Sequence, residues 1–359
     1  MFFGNKKKLR SLGVDIGTKV IKVVEISKKG NKFILENYGE VNLDFACREF
    51  FRSFDKNTLN PHIDNISLAL KELIDETKIK DRGTSFSLPD FSTFFSIFEM
   101  PPMTKKEIDS AIGFEARKYI PIPLSEVVLD WQSMENAISE KDINKVLVMA
   151  VPRVIIEQYK DISRQAGLEL LSLEPEAMSL KRAIAKDKDS ETICLVEIGF
   201  QSTNVSIIEK GFMKTSSSFD LAGKDLTNAI SEDLGIGTIE AEKIKRKYGL
   251  LENDKVNLEE ILKPTLYSIS SKIKKVIKEF ENKENSTVKK VVFLGGTSLM
   301  LGILEYFNNS LNQDEENVLE IELGRPFERI SYPQELEERM KELNANYAIA
   351  LGQALSKFE

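Results

Sequence analysis

Two short runs in this chain place an acid, an isoleucine and a glycine at the bend of an apolar strand pair. One is Asp15-Ile16-Gly17 in "SLGVDIGTKVIKVVEI"; the other is Glu197-Ile198-Gly199 in "ICLVEIGFQSTNVSIIEKG". A tight glycine turn leaves backbone N–H groups pointing outward without side-chain bulk, which makes a phosphate-sized nest. Thr18, Ser202 and Thr203 add hydroxyl donors. A carboxylate just before such a nest does not bind phosphate directly. It can hold a hydrated Mg2+ that the phosphates share, or orient a water. A single copy reads as an ordinary hairpin bend, whereas two copies facing each other read as a grip on a polyphosphate.

The elements that carry these turns repeat as well. Aligning Asp15 with Glu197 puts Val23 on Val205 and Ile26 on Ile208. One residue of slip then puts Lys29-Gly30 on Lys210-Gly211, the next turn. A third strand follows each time, "KFILENYGEV" and "FMKTSSSFDL". Helical spacing comes next, at Ile66, Leu70 and Leu73/Ile74 in the first half and at Leu226, Ile230 and Leu234 in the second. A duplicated β-β-β-α unit predicts an α+β or mixed α/β protein with one sheet in each half.

Two further features bear on the same chemistry. A strand expected over 288–294 runs into Gly295-Gly296, where Thr297 or Ser298 is expected to cap a helix continuing through Leu304 and Phe307. Such a junction allows close backbone approach and offers a helix N-terminus to anionic groups. In "TIEAEKIKRKYG", Glu242 and Lys245 share one helix face at i and i+3. They either hydrogen-bond ribose hydroxyls or form a solvated charge pair.

Composition narrows the class. The chain has 359 residues, room for two or three domains with real cores. A net charge of −7 gives no global attraction to nucleic acid, and the basic run Lys6-Lys7-Lys8-Leu9-Arg10 is local. No stretch is long and apolar enough to span a bilayer, and the N-terminus lacks the apolar core of a secretory signal. Two cysteines, Cys47 and Cys194, make no disulfide framework, so a reducing, cytoplasmic setting is expected. The single histidine, His62, leaves no His-rich metal site.

Between the halves lies a segment with its own pattern. Thr104 and Glu107 form a capping box before a helix whose apolar face is Ile108, Ala111, Ile112 and Tyr119, with Pro121 and Pro123 ending it. Strands are expected over 127–133 and 145–151, a helix over 154–166 ending at Gly167, and a last strand over 168–173. Together these predict an inserted α+β subdomain.

Asp15-Ile16-Gly17, the second acid-Ile-Gly, Ala222-Gly223 and Gly295-Gly296 resemble the phosphate loops and nucleotide-binding glycines of the actin-like ATPase superfamily. Within it, "FEARKYIPIPLSEVVLDWQ" and the ending "NYAIALGQAL" resemble the PilM family of type IV pilus assembly proteins, which are FtsA-like. The resemblance implies an actin-like fold divided into a first half (1–97), an FtsA/PilM-type insert (98–173), a second half (174–330) and a C-terminal helix (331–359) returning to the first half. It implies ATP and Mg2+ as cofactors. Asp15, Gly17, Thr18, Lys19 and Lys22 would form the first phosphate loop, and Glu197, Gly199, Gln201, Ser202 and Thr203 the second. Asp15 and Glu197 would hold Mg2+ through water, with Glu197 also the candidate catalytic acid. Gly223, Lys224, Glu242 and Lys245 would line the sugar side. Gly295, Gly296, Thr297 and Ser298 would approach the α-phosphate and adenine.

The resemblance further implies a cytoplasmic adaptor, recruited to the inner face of the membrane by its partners. It would dock the N-terminal peptide of PilN in a groove near Tyr119, Ile120 and Ile122. A pilus motor ATPase or platform protein, and a second copy of the chain, are further expected partners. The family usually has Asp where this chain has Glu197. One methylene moves the carboxylate about 1.5 Å, and small misplacements cost rate steeply, so hydrolysis is expected to be slow or absent. The first of the usual paired glycines is also replaced, by Ala222. Two alternatives stand beside this reading. One is a sugar-type kinase, with Asp220 or Asp225 as base. The other is an FtsA-like division protein, whose membrane-binding terminal helix finds no counterpart in "LGQALSKFE".

Overall fold

The computed structural model describes residues 9–43, 62–134, 138–185, 191–252, 257–313 and 318–359; Lys6, Lys7, Lys8 and Cys47 lie outside them. The chain opens with the meander β1 (Leu9–Ile16), β2 (Val20–Lys29) and β3 (Lys32–Asn42), then α1 (Ile63–Glu76) and β4 (Gly83–Leu88). Next come β5 (Phe94–Met100), α2 (Lys105–Ala116), β6 (Val127–Ser133), β7 (Asn144–Pro152), α3 (Arg153–Gln165), β8 (Glu169–Pro175) and α4 (Glu176–Ile184). A second meander, β9 (Ile193–Ile198), β10 (Thr203–Glu209) and β11 (Phe212–Phe219), leads into α5 (Gly223–Leu234), α6 (Thr238–Tyr248) and α7 (Leu258–Glu284). The chain finishes with β12 (Lys290–Leu294), α8 (Ile303–Asn312), β13 (Glu320–Leu323), β14 (Ile330–Ser331), α9 (Glu337–Leu343) and α10 (Ala348–Ser356).

Among the described residues the strands form three sheets. Two of them repeat one topology: β3-β2-β1-β4-β8 in the first half, with β14 added at one edge, and β11-β10-β9-β12-β13 in the second. The repeat holds to the residue. Asp15 pairs with Lys22 across the first hairpin and Glu197 with Asn204 across the second, the same register under the alignment of the two acids. A bulge falls between Glu25 and Ile26 in one copy and between Ile207 and Ile208 in the other, again at matched positions. β9 reads "ICLVEI", buried throughout, as a central strand covered on both faces must be. Helices α4 and α10 pack between the sheets, where Ala177, Leu180, Ala348 and Ile349 join Leu195 and Leu294 in one core. That placement brings the two hairpin turns to face each other.

The third sheet, β5-β7-β6, is the insert. Thr104 and Glu107 make the expected capping box on α2. The continuous apolar run of β7 serves two cores: Val146, Val148 and Ala150 pack on Ile108, Ile112 and Ala116 of α2, while Leu147 joins the core shared with α4 and Met213. The strand expected to complete the insert does not join it. β8 pairs in parallel with β4 and extends the first sheet, and α3 packs on the core of that sheet through Ile155, Tyr159 and Ile162. A second difference follows Gly295-Gly296, where no α-helix starts. Residues Gly296–Leu299 form a single 3-10 turn, and α8 begins after Gly302 at φ +78.

Candidate functional site

The two turns close in the same way. Gly17 N donates to Val20 O at 3.1 Å, and Gly199 N to Ser202 O at 3.0 Å. Between them lies a cavity of about 350 Å3, lined by residues from both halves. Of the residues singled out from sequence, Asp15, Gly17, Thr18, Lys19, Lys22, Glu197, Gly199, Gln201, Ser202, Glu242, Lys245, Gly296 and Thr297 line it. Thr203, Gly223, Lys224, Gly295 and Ser298 are absent from the lining. Their contacts give the reason. Thr203 Oγ1 donates to Leu221 O at 2.7 Å and Ser298 Oγ to Leu294 O at 2.6 Å, while Gly295 N donates to Ala345 O at 3.0 Å. Gly223 N and Lys224 N donate to the carbonyls of Gly199 and Phe200, at 3.1 and 2.7 Å, tying α5 to the second turn.

Thr297 and Ser298 do not cap a helix, because both hydroxyls are directed at backbone carbonyls. Thr297 Oγ1 donates to Gly199 O at 2.8 Å, the same carbonyl that Gly223 N reaches. A Cβ on Gly223 would strike that hydroxyl, so the glycine is what lets the turn, α5 and the Gly295-Gly296 corner meet.

The carboxylates are deeply set. Asp15 is 4% exposed and accepts from Ser87 Oγ at 3.1 Å. Glu197 meets Asn204, whose Nδ2 lies 3.3 Å from Glu197 Oε2 and 3.0 Å from Glu176 Oε2. Glu176, 2% exposed, opens α4 directly after Pro175 and lines the cleft. Phe200, Arg246 and Asn346 line it too. Sequence reasoning missed all four. Glu176 had a readable signal, since it follows the carboxyl end of a parallel strand, where sheets of this class place their ligands.

Glu242 and Lys245 are a buried pair rather than a solvated one. Lys245 is 5% exposed, and its Nζ reaches Glu242 Oε2 at 2.7 Å, Thr227 Oγ1 at 2.7 Å and Gly223 O at 2.8 Å. Burial alone would raise the Glu242 carboxyl, but the Lys245 ammonium and the bonds from Thr227 and Arg246 outweigh it and hold it at about 2.

The donor set fits a polyphosphate. Thr18, Ser202, Lys19 and Lys22 line the cleft, with Lys245 and Arg246 beside them bonded to Glu242; Gln201 Oε1, buried in the wall with no hydrogen-bond partner among the described residues, is an acceptor and suits a water or a ligand hydroxyl, not a phosphate oxygen. Among the described residues no group of three or more acidic, histidine or cysteine side chains could by itself hold a metal ion. Asp225, the candidate base of a kinase, is absent from the lining; its Oδ2 accepts from Ala222 N at 2.8 Å and caps α5.

A second cavity, of about 480 Å3, opens between β6 and β8. Among the described residues each is the last strand of its sheet, so each presents an edge with no further strand paired to it there. Val128, Met149, Val151, Ile156, Leu173 and Met178 give the groove an apolar lining. Gln132 Nε2 and Arg182 Nε are buried in its wall without hydrogen-bond partners among the described residues. The expected groove residues lie elsewhere and are absent from this lining. Tyr119 is 51% exposed and stacks on Phe98 at 5.1 Å, Ile120 is buried in the core of the insert, and Ile122 packs against that core. No helix of the described residues is long and apolar enough to cross a membrane.

The family described as "Type IV pilus assembly protein PilM" matches residues 13–358. A solved "PilM-PilN type IV pilus biogenesis complex" superposes with a TM-score of 0.84 at 22% identity, covering 98% of this chain and 100% of that one. MreB 5 of Spiroplasma citri, bound to AMPPNP, superposes at 0.52 with 14% identity, covering 98% and 97%. The cell division protein FtsA of Bacillus subtilis (strain 168) is 27% identical over 122 residues, 33% of this chain and 28% of FtsA. That match therefore spans less than a third of the relative. At these identities the structural likenesses establish the actin-like fold alone.

Proposed function

Because the chain belongs to the type IV pilus assembly protein PilM family, we propose that it is a cytoplasmic ATP-binding adaptor of the pilus inner-membrane platform. The observation that carries this is the cleft between two matched acid-Ile-Gly turns, with four cations and two hydroxyl-bearing loops around it. Thr18, Lys19 and Lys22 would hold the phosphates. Glu242 and Lys245 would bound the sugar side. Asp15 and Glu197 would hold Mg2+ through water, and the ion would draw off phosphate charge when bound. Asn204 anchors Glu197 beside Glu176, which fixes the second-turn acid and accords with slow or absent hydrolysis. ATP, by touching both halves, would favour the closed arrangement in proportion to its differential contacts.

The test is the thermal midpoint with and without Mg-ATP, for wild type and Asp15→Ala. Nucleotide at 100-fold over its Kd should add about 2.7 kcal/mol, a rise of about 5–10 °C for a melting unit of about 150–250 residues and about 4 °C if the whole chain melts as one. Asp15→Ala should lose the rise. No rise in nucleotide-free wild type would remove the basis for an ATP cleft.

We further propose that the groove between β6 and β8 receives the N-terminal peptide of PilN as an extended strand. An unpaired edge supplies backbone hydrogen bonds, the apolar lining supplies side-chain pockets, and Gln132 and Arg182 offer two unsatisfied donors to carbonyls of the peptide. Val128 is 38% exposed at the groove, so Val128→Arg should leave the fold intact. It should weaken binding of the synthetic peptide at least about tenfold, as loss of a buried interface anchor does. Unchanged affinity, read by fluorescence anisotropy, would move the docking site away from this groove.

A further inference from the structure

Lys19 of the first turn reaches across the cleft, where its Nζ lies 4.8 Å from the centre of the Phe200 ring on the second turn. Both backbones are tied down. Lys19 O accepts from Leu43 N at 2.8 Å, and Phe200 O accepts from Lys224 N at 2.7 Å. Under the register shared by the two hairpins, Phe200 stands where the first turn has Thr18. The second turn thus carries a ring face where its counterpart carries a hydroxyl donor, and a ring face attracts an ammonium.

Lys19 shares the cleft with Lys22, Lys245 and Arg246. Asp15, Glu176, Glu197 and Glu242 line it too, so the charges there are mixed, and a lysine stem is long and flexible enough to swing its head among them or into water. We propose that Phe200 is a positioning residue, holding the Lys19 ammonium in one place inside the cleft, poised for the phosphate chain of a nucleoside di- or triphosphate. An ammonium carries three donors, so it can meet phosphate oxygens while its other side stays on the ring. The inference rests on the nucleotide reading of the same cleft and adds to it a residue that positions Lys19.

Equilibrium binding of Mg-ATP tests it, on wild type, Phe200→Leu, Phe200→Tyr, Lys19→Met and the double variant Lys19→Met/Phe200→Leu. Phe200→Leu keeps an apolar side chain without the π face and should weaken binding about two- to fivefold. Phe200→Tyr should restore it. In the Lys19→Met background, Phe200→Leu should change nothing further, a result that a merely structural role of the ring would not produce. An equal loss from Phe200→Leu in both backgrounds, or wild-type affinity in Phe200→Leu, overturns the positioning role and leaves the nucleotide cleft standing. No binding by wild type overturns both.

Discussion

Lys245→Met is expected to lower stability by about 3 kcal/mol at neutral pH, within the range for breaking one side of a buried ion pair. The lysine has three acceptors, Glu242, Thr227 and Gly223 O, and almost no contact with water. Methionine keeps most of the stem and removes the charge, leaving Glu242 with Thr227 and the more exposed Arg246. The pH dependence carries the sign of the effect. Glu242 is held at about 2 against an ordinary 4.5. A depressed carboxyl stabilises the fold fully above its unfolded value and loses that contribution as pH falls toward the folded one. The gap between wild type and Lys245→Met should therefore be widest above pH 4.5 and shrink toward pH 2. Urea melts across that window read it directly. The double variant Lys245→Met/Glu242→Gln should recover part of the loss, because it removes the stranded charge. If it is as weak as the single variant, the packing of the lysine stem matters and its charge does not.

The duplicated hairpin was legible because its signal is local: apolar alternation, an acid and a glycine within a few residues, repeated in order. The register of Asp15 with Lys22 and Glu197 with Asn204 follows from turns of equal length. Parallel strands carry no such signal. β8 looked like the end of the insert because it follows the insert in sequence, yet its partner is β4, on the far side of the whole insert. Its neighbour in the chain says nothing of its neighbour in the sheet. The corner after Gly295-Gly296 failed for a related reason. Thr297 and Ser298 are good caps by type, but each has a carbonyl closer at hand, and Gly302 in the left-handed region restarts the chain as a helix later than expected. The cleft residues missed, Glu176 and Phe200 among them, act through partners distant in sequence. Glu242 and Lys245 were found by helical spacing, but their burial depends on α5 packing over them, through Thr227 and Gly223.

Gly295 and Gly296 sit side by side and are expected to respond oppositely to alanine. Gly295 has φ +85, where a Cβ is strained, and that Cβ would lie 2.5 Å from Ile198 O and 2.6 Å from Glu197 Oε1. With ψ 163 this is a backbone region open essentially to glycine alone, where a side chain costs about 1–3 kcal/mol, and overpacking of a tight interior adds about 1–3 kcal/mol. Gly295→Ala should thus lose about 3 kcal/mol, with part of the relief taken by displacement of the Glu197 carboxylate. Gly296 lacks the positive φ, and its Cβ would meet only Asn346 Oδ1 at 3.2 Å, the tip of a side chain that can turn. Gly296→Ala should stay within about 1 kcal/mol of wild type, as substitutions without a clash do. If the second turn holds its acid for a nucleotide, Gly295→Ala should also lose the Mg-ATP thermal shift at temperatures where it is still folded. A Gly295→Ala protein that is destabilised yet keeps the full shift would separate the two roles. The glycine would then be a packing requirement of the corner, and the position of Glu197 would not matter to the ligand.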